Sequence, residues 1–209
     1  MKERTSRNIS KAAQGLSFLL HPFVLPTYMA VALLFSGGMV AMLPAPLRWY
    51  MVGVVAIDTL LLPAVAIFVM CRLNLLGDLR LSTRRERLVP LMVVALCYIL
   101  CAYMLSDLTL AFLVRKFIIA GFSCVVLALA VTVFWQISLH LTAMGGAVAM
   151  LTLVCASGVA DAMAVLCLAV LAAGLLASAR LWLGRHDLWQ VAAGFAGGFL
   201  VASAAVLCL

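Results

Sequence analysis

The stretch ARLWLGRHDLWQ, Ala179–Gln190, places two arginines, a histidine, an aspartate and a glutamine between two apolar segments. These segments, 161–180 and 188–208, have the length of about 20 residues that an α-helix needs to cross a bilayer. Only 10% of the residues in the chain are charged. The concentration of polar groups here therefore indicates a functional site where two membrane helices meet.

The composition is typical of an integral membrane protein. Of the 209 residues, 67% are hydrophobic, and the mean hydropathy is +1.26, which is more apolar surface than a water-soluble domain of this size can bury. The seven cysteines lack the spacing of a disulfide framework or a zinc site. The net charge of +7 comes from basic residues at the ends of apolar segments, which favours lipid headgroups over nucleic acid as a partner.

Runs of about 20 apolar residues predict an all-α polytopic membrane protein with one domain, 1–209. The first run contains Pro22 and Pro26, which predict a kinked or partly interfacial segment, and no Ala-x-Ala cleavage site follows it. We therefore expect a retained first segment and a bundle of six to seven transmembrane helices with an interfacial active site. The predicted spans are 16–43, 49–71, 88–106, 112–135, 139–157, 161–180 and 188–208.

Seven spans would place most of the polar residues on one side of the membrane. The N-terminus and the connections at 72–87, 136–138 and 181–187 would share that side. Four basic residues near the N-terminus, five in 72–87 and two in 180–187 make eleven of the 14 Lys and Arg residues. The excess of positive charge predicts that this side is cytoplasmic.

Three pieces of chain on this side carry candidate site residues. The first is RLSTRRERLVP, Arg80–Pro90, in which Thr83 and Glu86 have the spacing of a capping box before an apolar run. A helix is predicted to start there, with Arg84 and Arg87 on one face and Arg80 in the preceding loop. Helix N-termini with nearby guanidinium groups are well suited to phosphate oxygens.

The second and third pieces bring histidines to the same interface. In QISLHLTAMGG, Gln136–Gly146, Ser138 and His140 stand at the start of a span, and the two glycines would let another helix approach closely. In the opening stretch, Arg180 ends one span and His186 begins the next. Gln190 lies one helical turn beyond His186 on the same face.

The carboxylates argue against a metal-dependent enzyme. The chain has seven Asp and Glu residues, and no two are spaced as a metal-binding cluster. A magnesium-dependent prenyltransferase or a two-metal phosphatase needs several converging acids. Arginines and histidines without metal ligands instead favour an anionic substrate attacked by imidazole, and we expect no cofactor.

The order and spacing of these motifs resemble the type 2 phosphatidic acid phosphatase superfamily. Its members share Lys-x6-Arg-Pro, then Pro-Ser-Gly-His, then Ser-Arg-x5-His-x3-Asp. The resemblance covers roughly residues 80–200 and favours a compact protein of the bacterial inner membrane. The matching residues are Arg80 and Arg87, with the proline displaced to Pro90; Ile137, Ser138, Leu139 and His140; and Ala179, Arg180, His186 and Gln190.

The resemblance implies a membrane lipid phosphatase that works without a metal and acts on a phosphate monoester or diphosphate. His186 would attack phosphorus to form a phosphohistidine, and His140 would protonate the leaving alkoxide. Arginines and a serine would hold the phosphoryl oxygens. This binding set is Arg80, Arg87, Arg180 and Ser138, with Arg84 as a further member for which membrane topology is an equally good explanation.

The departures from the motifs leave two alternatives open. Where the family has an orienting aspartate, Gln190 can accept the same Nδ1–H bond but brings no negative charge. Asp187 lies about 100° away around a helix and does not replace it. The alternatives are a lipid phosphotransferase, in which another hydroxyl intercepts the phosphohistidine, and a non-catalytic lipid-binding or transport relative. The sequence leaves the lipid and the oligomeric state open.

Two polar residues outside the motifs have simpler interpretations. His21, in HPFVLP, is expected to be a local hydrogen-bonding or packing residue. Asp58 lies near the centre of the second predicted span, where an ionised carboxylate is costly. We expect it to be protonated, paired or lining a cavity.

Overall fold

The computed structural model describes residues 2–38, 42–73, 84–108 and 111–208, with side chains except at 2–5 and 84–87. Within these ranges the chain forms helices and no strand, which confirms the predicted all-α class. A π-helical turn, Ile57–Leu61, joins α3 to α4 without a break. The helices are α1 (Lys2–Leu19), α2 (Leu25–Phe35), α3 (Ala45–Ala56), α4 (Leu62–Arg72), α5 (Arg84–Met104), α6 (Phe112–Phe134), α7 (Leu139–Ser157), α8 (Met163–Trp182) and α9 (Leu188–Cys208).

Five helical segments of the described residues are long and apolar enough to cross a membrane, so the chain is a multi-pass membrane protein. All five correspond to predicted spans within a few residues. They are Ala45–Arg72, which comprises α3, the π-helical turn and α4, and then α6, α7, α8 and α9.

The first predicted span, 16–43, is wrong as a single helix. α1 ends at Leu19, and a turn leads into α2. Pro22 lies in that turn, and Pro26 lies in the first turn of α2, where a missing N–H costs no helical hydrogen bond. With 11 residues, α2 is about 16 Å long, roughly half the apolar thickness of a bilayer. By length and composition, α2 and the apolar part of α5, Leu88–Met104, are shorter helices than the five spans.

α7 is the most buried of the five spans and packs closely against α9 through glycines. A Cβ on Gly198 of α9 would collide with the Thr142 carbonyl group, and one on Gly145 of α7 would collide with the Phe195 carbonyl group. Backbones that approach this closely are typical of small residues at membrane helix interfaces. The predicted close approach of another helix at Gly145 is therefore confirmed, with α9 as the partner.

Contacts between connections define the two ends of the bundle. At one end, a Cβ on Gly38 would lie 2.7 Å from the Val159 carbonyl oxygen, so the turn after α2 packs against the α7–α8 connection. At the other end, the Trp182 indole Nε1–H donates to the Ser10 hydroxyl group at 3.4 Å. α1 therefore packs beside the end of α8, where the third motif lies.

Asp58 is buried in the π-helical turn, with the Cys101 thiol of α5 close to its carboxyl group. The neighbouring Thr59 hydroxyl donates to the Val55 carbonyl at 2.8 Å, which gives the other buried polar side chain of the turn a partner. The sequence left three states open for Asp58, namely protonated, paired or lining a cavity, and the structure places a thiol beside it.

Candidate functional site

The turn between α8 and α9 holds the residues of the third motif. Arg180 lies in the last turn of α8, and Gly184 has a φ of +61°, a conformation that favours glycine. The Gly184 N–H bonds to the Leu181 carbonyl at 3.0 Å, and the Arg185 N–H bonds to the Arg180 carbonyl at 3.2 Å. These bonds close the end of α8 and direct the chain into α9.

Asp187 and Gln190 form a reciprocal cap at the start of α9. The Gln190 N–H donates to Asp187 Oδ1 at 2.8 Å, and the Asp187 N–H donates to Gln190 Oε1 at 3.3 Å. This is a capping box with an aspartate as the N-cap residue. Asp187 therefore has a structural role beside the site, and the Gln190 side chain is held in one position.

Gln190 also holds the His186 ring. Gln190 Oε1 lies 2.9 Å from His186 Nδ1, so the contact predicted between these side chains is present. Because Oε1 accepts the Asp187 N–H, it is an acceptor, and His186 Nδ1 must carry the proton. In the neutral ring the lone pair is then on Nε2, which is the nitrogen that can act as a nucleophile.

Ser138 joins the second motif to the third. Its N–H donates to the Gln190 carbonyl at 3.3 Å, and its carbonyl oxygen lies 2.9 Å from where a Cβ on Gly194 would be. The Ser138 side chain is fully buried, and its Oγ has no hydrogen-bond partner among the described residues. A buried hydroxyl group without a partner costs about 1–3 kcal/mol. A ligand oxygen bound there would remove that penalty.

His140 is held by α1, which motif spacing did not predict. Its Nε2 lies 3.1 Å from the Ser17 carbonyl oxygen. A carbonyl oxygen only accepts, so Nε2 carries a proton, and Nδ1 is the other nitrogen through which His140 can exchange a proton. Arg180 and His186 are both close enough to His140 to interact with it electrostatically. The structure thus brings together His140, Arg180, His186, Ser138 and Gln190, which we call the interfacial site.

His21 extends this site, although it matches none of the motifs. The Phe23 N–H donates to His21 Nδ1 at 3.3 Å, which confirms the predicted local hydrogen bond. The His21 ring also meets the His140 ring edge to face, with centroids 5.4 Å apart. Burial, and then the positive charge of Arg180, lower the pKa of His21. The signal in the sequence was a histidine directly before the first of two prolines, at the point where the first apolar run breaks.

The arginines of the first motif cannot be placed in the site. Arg80 lies outside the described residues, and so do the side chains of Arg84 and Arg87. α5 begins at Arg84, close to the predicted helix start. The phosphate-binding roles of these three residues stay predictions.

Among the described residues, no group of three His, Cys, Asp or Glu side chains is placed to hold a metal ion. Comparison of the chain with family models, curated proteins and solved structures gives no match. The phosphatase resemblance therefore rests on the residues of the three motifs.

Proposed function

We propose that the protein is an integral membrane lipid phosphatase that hydrolyses a lipid phosphate monoester or diphosphate through a phosphohistidine. The observation that carries the proposal is the hydrogen bond between His186 Nδ1 and Gln190 Oε1. It directs the lone pair of the neutral ring to Nε2, in a site that also contains His140 and Arg180. An oriented imidazole with a cation close by is the arrangement that nucleophilic attack on an anionic phosphoryl group requires.

In the first step, His186 Nε2 attacks phosphorus, and the bond from phosphorus to the lipid oxygen breaks. His140, which takes up a proton when the negatively charged phosphate binds beside it, gives its Nδ1 proton to the departing oxygen while Nε2–H stays on the Ser17 carbonyl. The products are a phosphohistidine and the lipid alcohol when the substrate is a monoester, or the lipid monophosphate when it is a diphosphate. Arg180 and the Ser138 hydroxyl group stabilise the phosphoryl oxygens, and the predicted arginines of the first motif would add to them.

In the second step, a water oxygen attacks phosphorus and the phosphorus–Nε2 bond breaks. Neutral His140 accepts the proton that the water loses, and inorganic phosphate leaves. Gln190 holds the His186 ring in the same orientation through both steps. Because it is neutral, we expect it to stabilise the positively charged ring less than an aspartate would.

The test is phosphate release by the purified protein from a panel of lipid phosphates and prenyl diphosphates, in detergent with EDTA present. Release should fall by at least about 1,000-fold in His186→Ala and His140→Ala. An acid-labile phosphoryl group on His186 should be trapped by rapid quenching. Full activity of His186→Ala would exclude the mechanism.

Two neighbouring arginines provide a matched control. Arg180 is half-buried beside the histidines, whereas Arg185 is exposed in the same turn. Arg180→Ala should abolish release, and Arg185→Ala should leave it within about twofold of wild type, because an exposed charge is well solvated. Equal losses in both variants would point to general electrostatics of the turn instead of phosphoryl binding.

A non-catalytic lipid-binding protein is the second candidate, because the Gln190 side chain also has a structural task. Its Oε1 completes the cap of α9, and the His186 contact could follow from that cap. Lipid phosphate binding without release, unchanged in Gln190→Asp, would favour this function. A product that appears only with an added hydroxyl acceptor would instead reveal a phosphotransferase.

We propose that the protein lies in a bacterial inner membrane and that its site faces the cytoplasm. α1, which begins with Lys2 and carries three more basic residues, packs at the site end of the bundle through Ser10 and Ser17. Positive charge near spans favours the cytoplasmic side. Protease removal of an N-terminal epitope in inverted vesicles but not in spheroplasts is the expected result, and the reverse would place the site outside.

A further inference from the structure

A cavity of about 250 Å³ opens next to the interfacial site, between α2, α4, α5, α6 and α7. Its wall is mainly apolar, and the side chains of His21, His140 and Tyr98 are among those that line it. Two further polar side chains of the wall, Thr142 and Cys124, have hydrogen-bond partners outside the cavity. The Thr142 hydroxyl donates to the Ser138 carbonyl at 3.0 Å, and the Cys124 thiol donates to the Gly198 carbonyl at 3.5 Å.

The wall therefore combines a long apolar part with imidazole groups that belong to the site. An unfilled cavity destabilises a fold because the atoms around it lose dispersion contacts. Most of the wall offers water no partner, since a buried water needs two to four polar contacts and the polar side chains of the wall are few. The chemistry that fits is a hydrocarbon chain with an anionic group at one end.

We infer that this cavity binds the hydrocarbon chain next to the substrate phosphate, and that the substrate class is single-chain lipid phosphates of the prenyl or alkyl type. The inference rests on the proposed function. His140 lines the cavity and also lies beside Arg180 and His186, so a chain in the cavity places its phosphate in the site.

The volume sets the length of chain that the cavity holds. A cavity of about 150 Å³ accommodates the six carbons of benzene. By the same ratio, 250 Å³ holds about ten carbons. A glycerolipid carries two chains that diverge near the headgroup, and only one of them would find a place here. The cavity therefore favours a chain that is joined directly to the phosphate oxygen.

Adjacent valines on α6 provide a matched pair for the test. Val125 lines the cavity, whereas Val126 is 42% exposed and does not. Val125→Phe should shorten the space for the chain, and Val126→Phe adds the same ring on the outer face. Ala143→Leu, on α7, fills the same cavity from another helix and serves if Val125→Phe does not yield a monodisperse protein.

The experiment measures kcat/KM for phosphate release from alkyl monophosphates of increasing length, at a constant mole fraction in detergent micelles. In the wild type, kcat/KM should rise with each added methylene, because each adds dispersion contacts with the cavity wall, and should level off near ten carbons. It should be at least about tenfold lower for a two-chain phosphatidic acid. In Val125→Phe, kcat/KM should level off several carbons earlier, whereas in Val126→Phe its dependence on chain length should match that of the wild type. Equal dependence on chain length in both variants, or preference for the two-chain lipid, would overturn the inference.

A second readout separates failure of the inference from failure of the proposed function. An alkyl phosphate with a photoreactive diazirine in its chain is crosslinked to the full-length protein, and the labelled peptides are identified by mass spectrometry. Labelling of the α6 and α7 cavity wall, reduced in Val125→Phe, supports the inference even if no phosphate is released. Phosphate release with labels only elsewhere would overturn it and leave the proposed function standing.

Discussion

The two histidines of the interfacial site are oriented by different kinds of contact. His186 lies in the turn just before α9 and is held by Gln190, four residues later, in the first turn of that helix. His140 is held by the Ser17 carbonyl, 123 residues earlier in the chain, and by the edge of the His21 ring. The first contact needs only the turn before α9 and the first turn of that helix, whereas the second requires α1 to stay packed at this end of the bundle, beside α8. In the proposed site, the orientation of the nucleophile His186 therefore depends on local structure, and the orientation of the acid His140 depends on tertiary structure.

The largest effect is expected at the glycine contact between α7, which carries His140, and α9, which carries Gln190. In Gly198→Ala, the new methyl group would collide with backbone atoms of Thr142, which no side-chain rotation can relieve. We expect a loss of about 1–3 kcal/mol in the free energy of unfolding. The two helices would separate, and phosphate release would fall with stability. Thermal unfolding in detergent, followed by the loss of monodisperse protein, measures the change.

Gly174→Ala is the control for that substitution. Gly174 is also in the interior of a helix, α8, but no atom lies within 4 Å of where its Cβ would be. Alanine should stabilise α8 by up to about 1 kcal/mol, because glycine is the poorer helix former. Opposite signs at the two positions are the expected result. Equal changes in midpoint would show that the α7–α9 contact adds nothing to stability.

An intermediate effect is expected from Gln190→Ala, which removes the contact between Gln190 and His186. His186 loses its Nδ1 acceptor, and α9 loses half of its cap. Phosphate release should fall by about 10–100-fold, as for other residues that orient a catalytic group, with a loss of about 1 kcal/mol in stability. Steady-state kinetics should show the change in kcat more than in KM.

Asp187→Ala separates the two tasks of Gln190. This variant breaks the cap at Gln190 N–H but keeps the acceptor of His186. It should lose a similar amount of stability, about 1 kcal/mol, while kcat stays within a few-fold of wild type. A drop in kcat as large as that of Gln190→Ala would mean that capping, and not ring orientation, is what the site requires.

The contact between His186 and Gln190 was predicted from their spacing, because residues four apart lie close together in a helix. The contact is present, but His186 lies just before α9, and the cap of that helix positions Gln190. The bounds of α7 and α9 follow from apolar length. The Asp-x-x-Gln pattern of the cap was readable but was not recognised. The contact between His140 and Ser17 could not be predicted, because it depends on how α1 turns back at Pro22. The apolar run predicted one span over 16–43, and its two prolines predicted a kink without giving the direction in which the chain turns.

The smallest effect is expected in the pH dependence of stability, which tests how the packing of His21 holds His140. Burial and the Arg180 charge lower the pKa of His21 from 6.5, so the folded protein holds His21 neutral while the unfolded chain binds a proton below about pH 6.5. The stability due to neutral His21 is fully present above pH 6.5 and is lost as the pH falls below it, by at most about 1.4 kcal/mol per pH unit. His21→Asn keeps an acceptor for the Phe23 N–H but does not titrate. Thermal midpoints measured between about pH 8 and pH 5 should therefore fall more steeply for the wild type than for His21→Asn. Parallel curves would mean that His21 takes up a proton as readily in the folded state as in the unfolded chain. The packing of His21 against His140 would then not be what holds His140 in place.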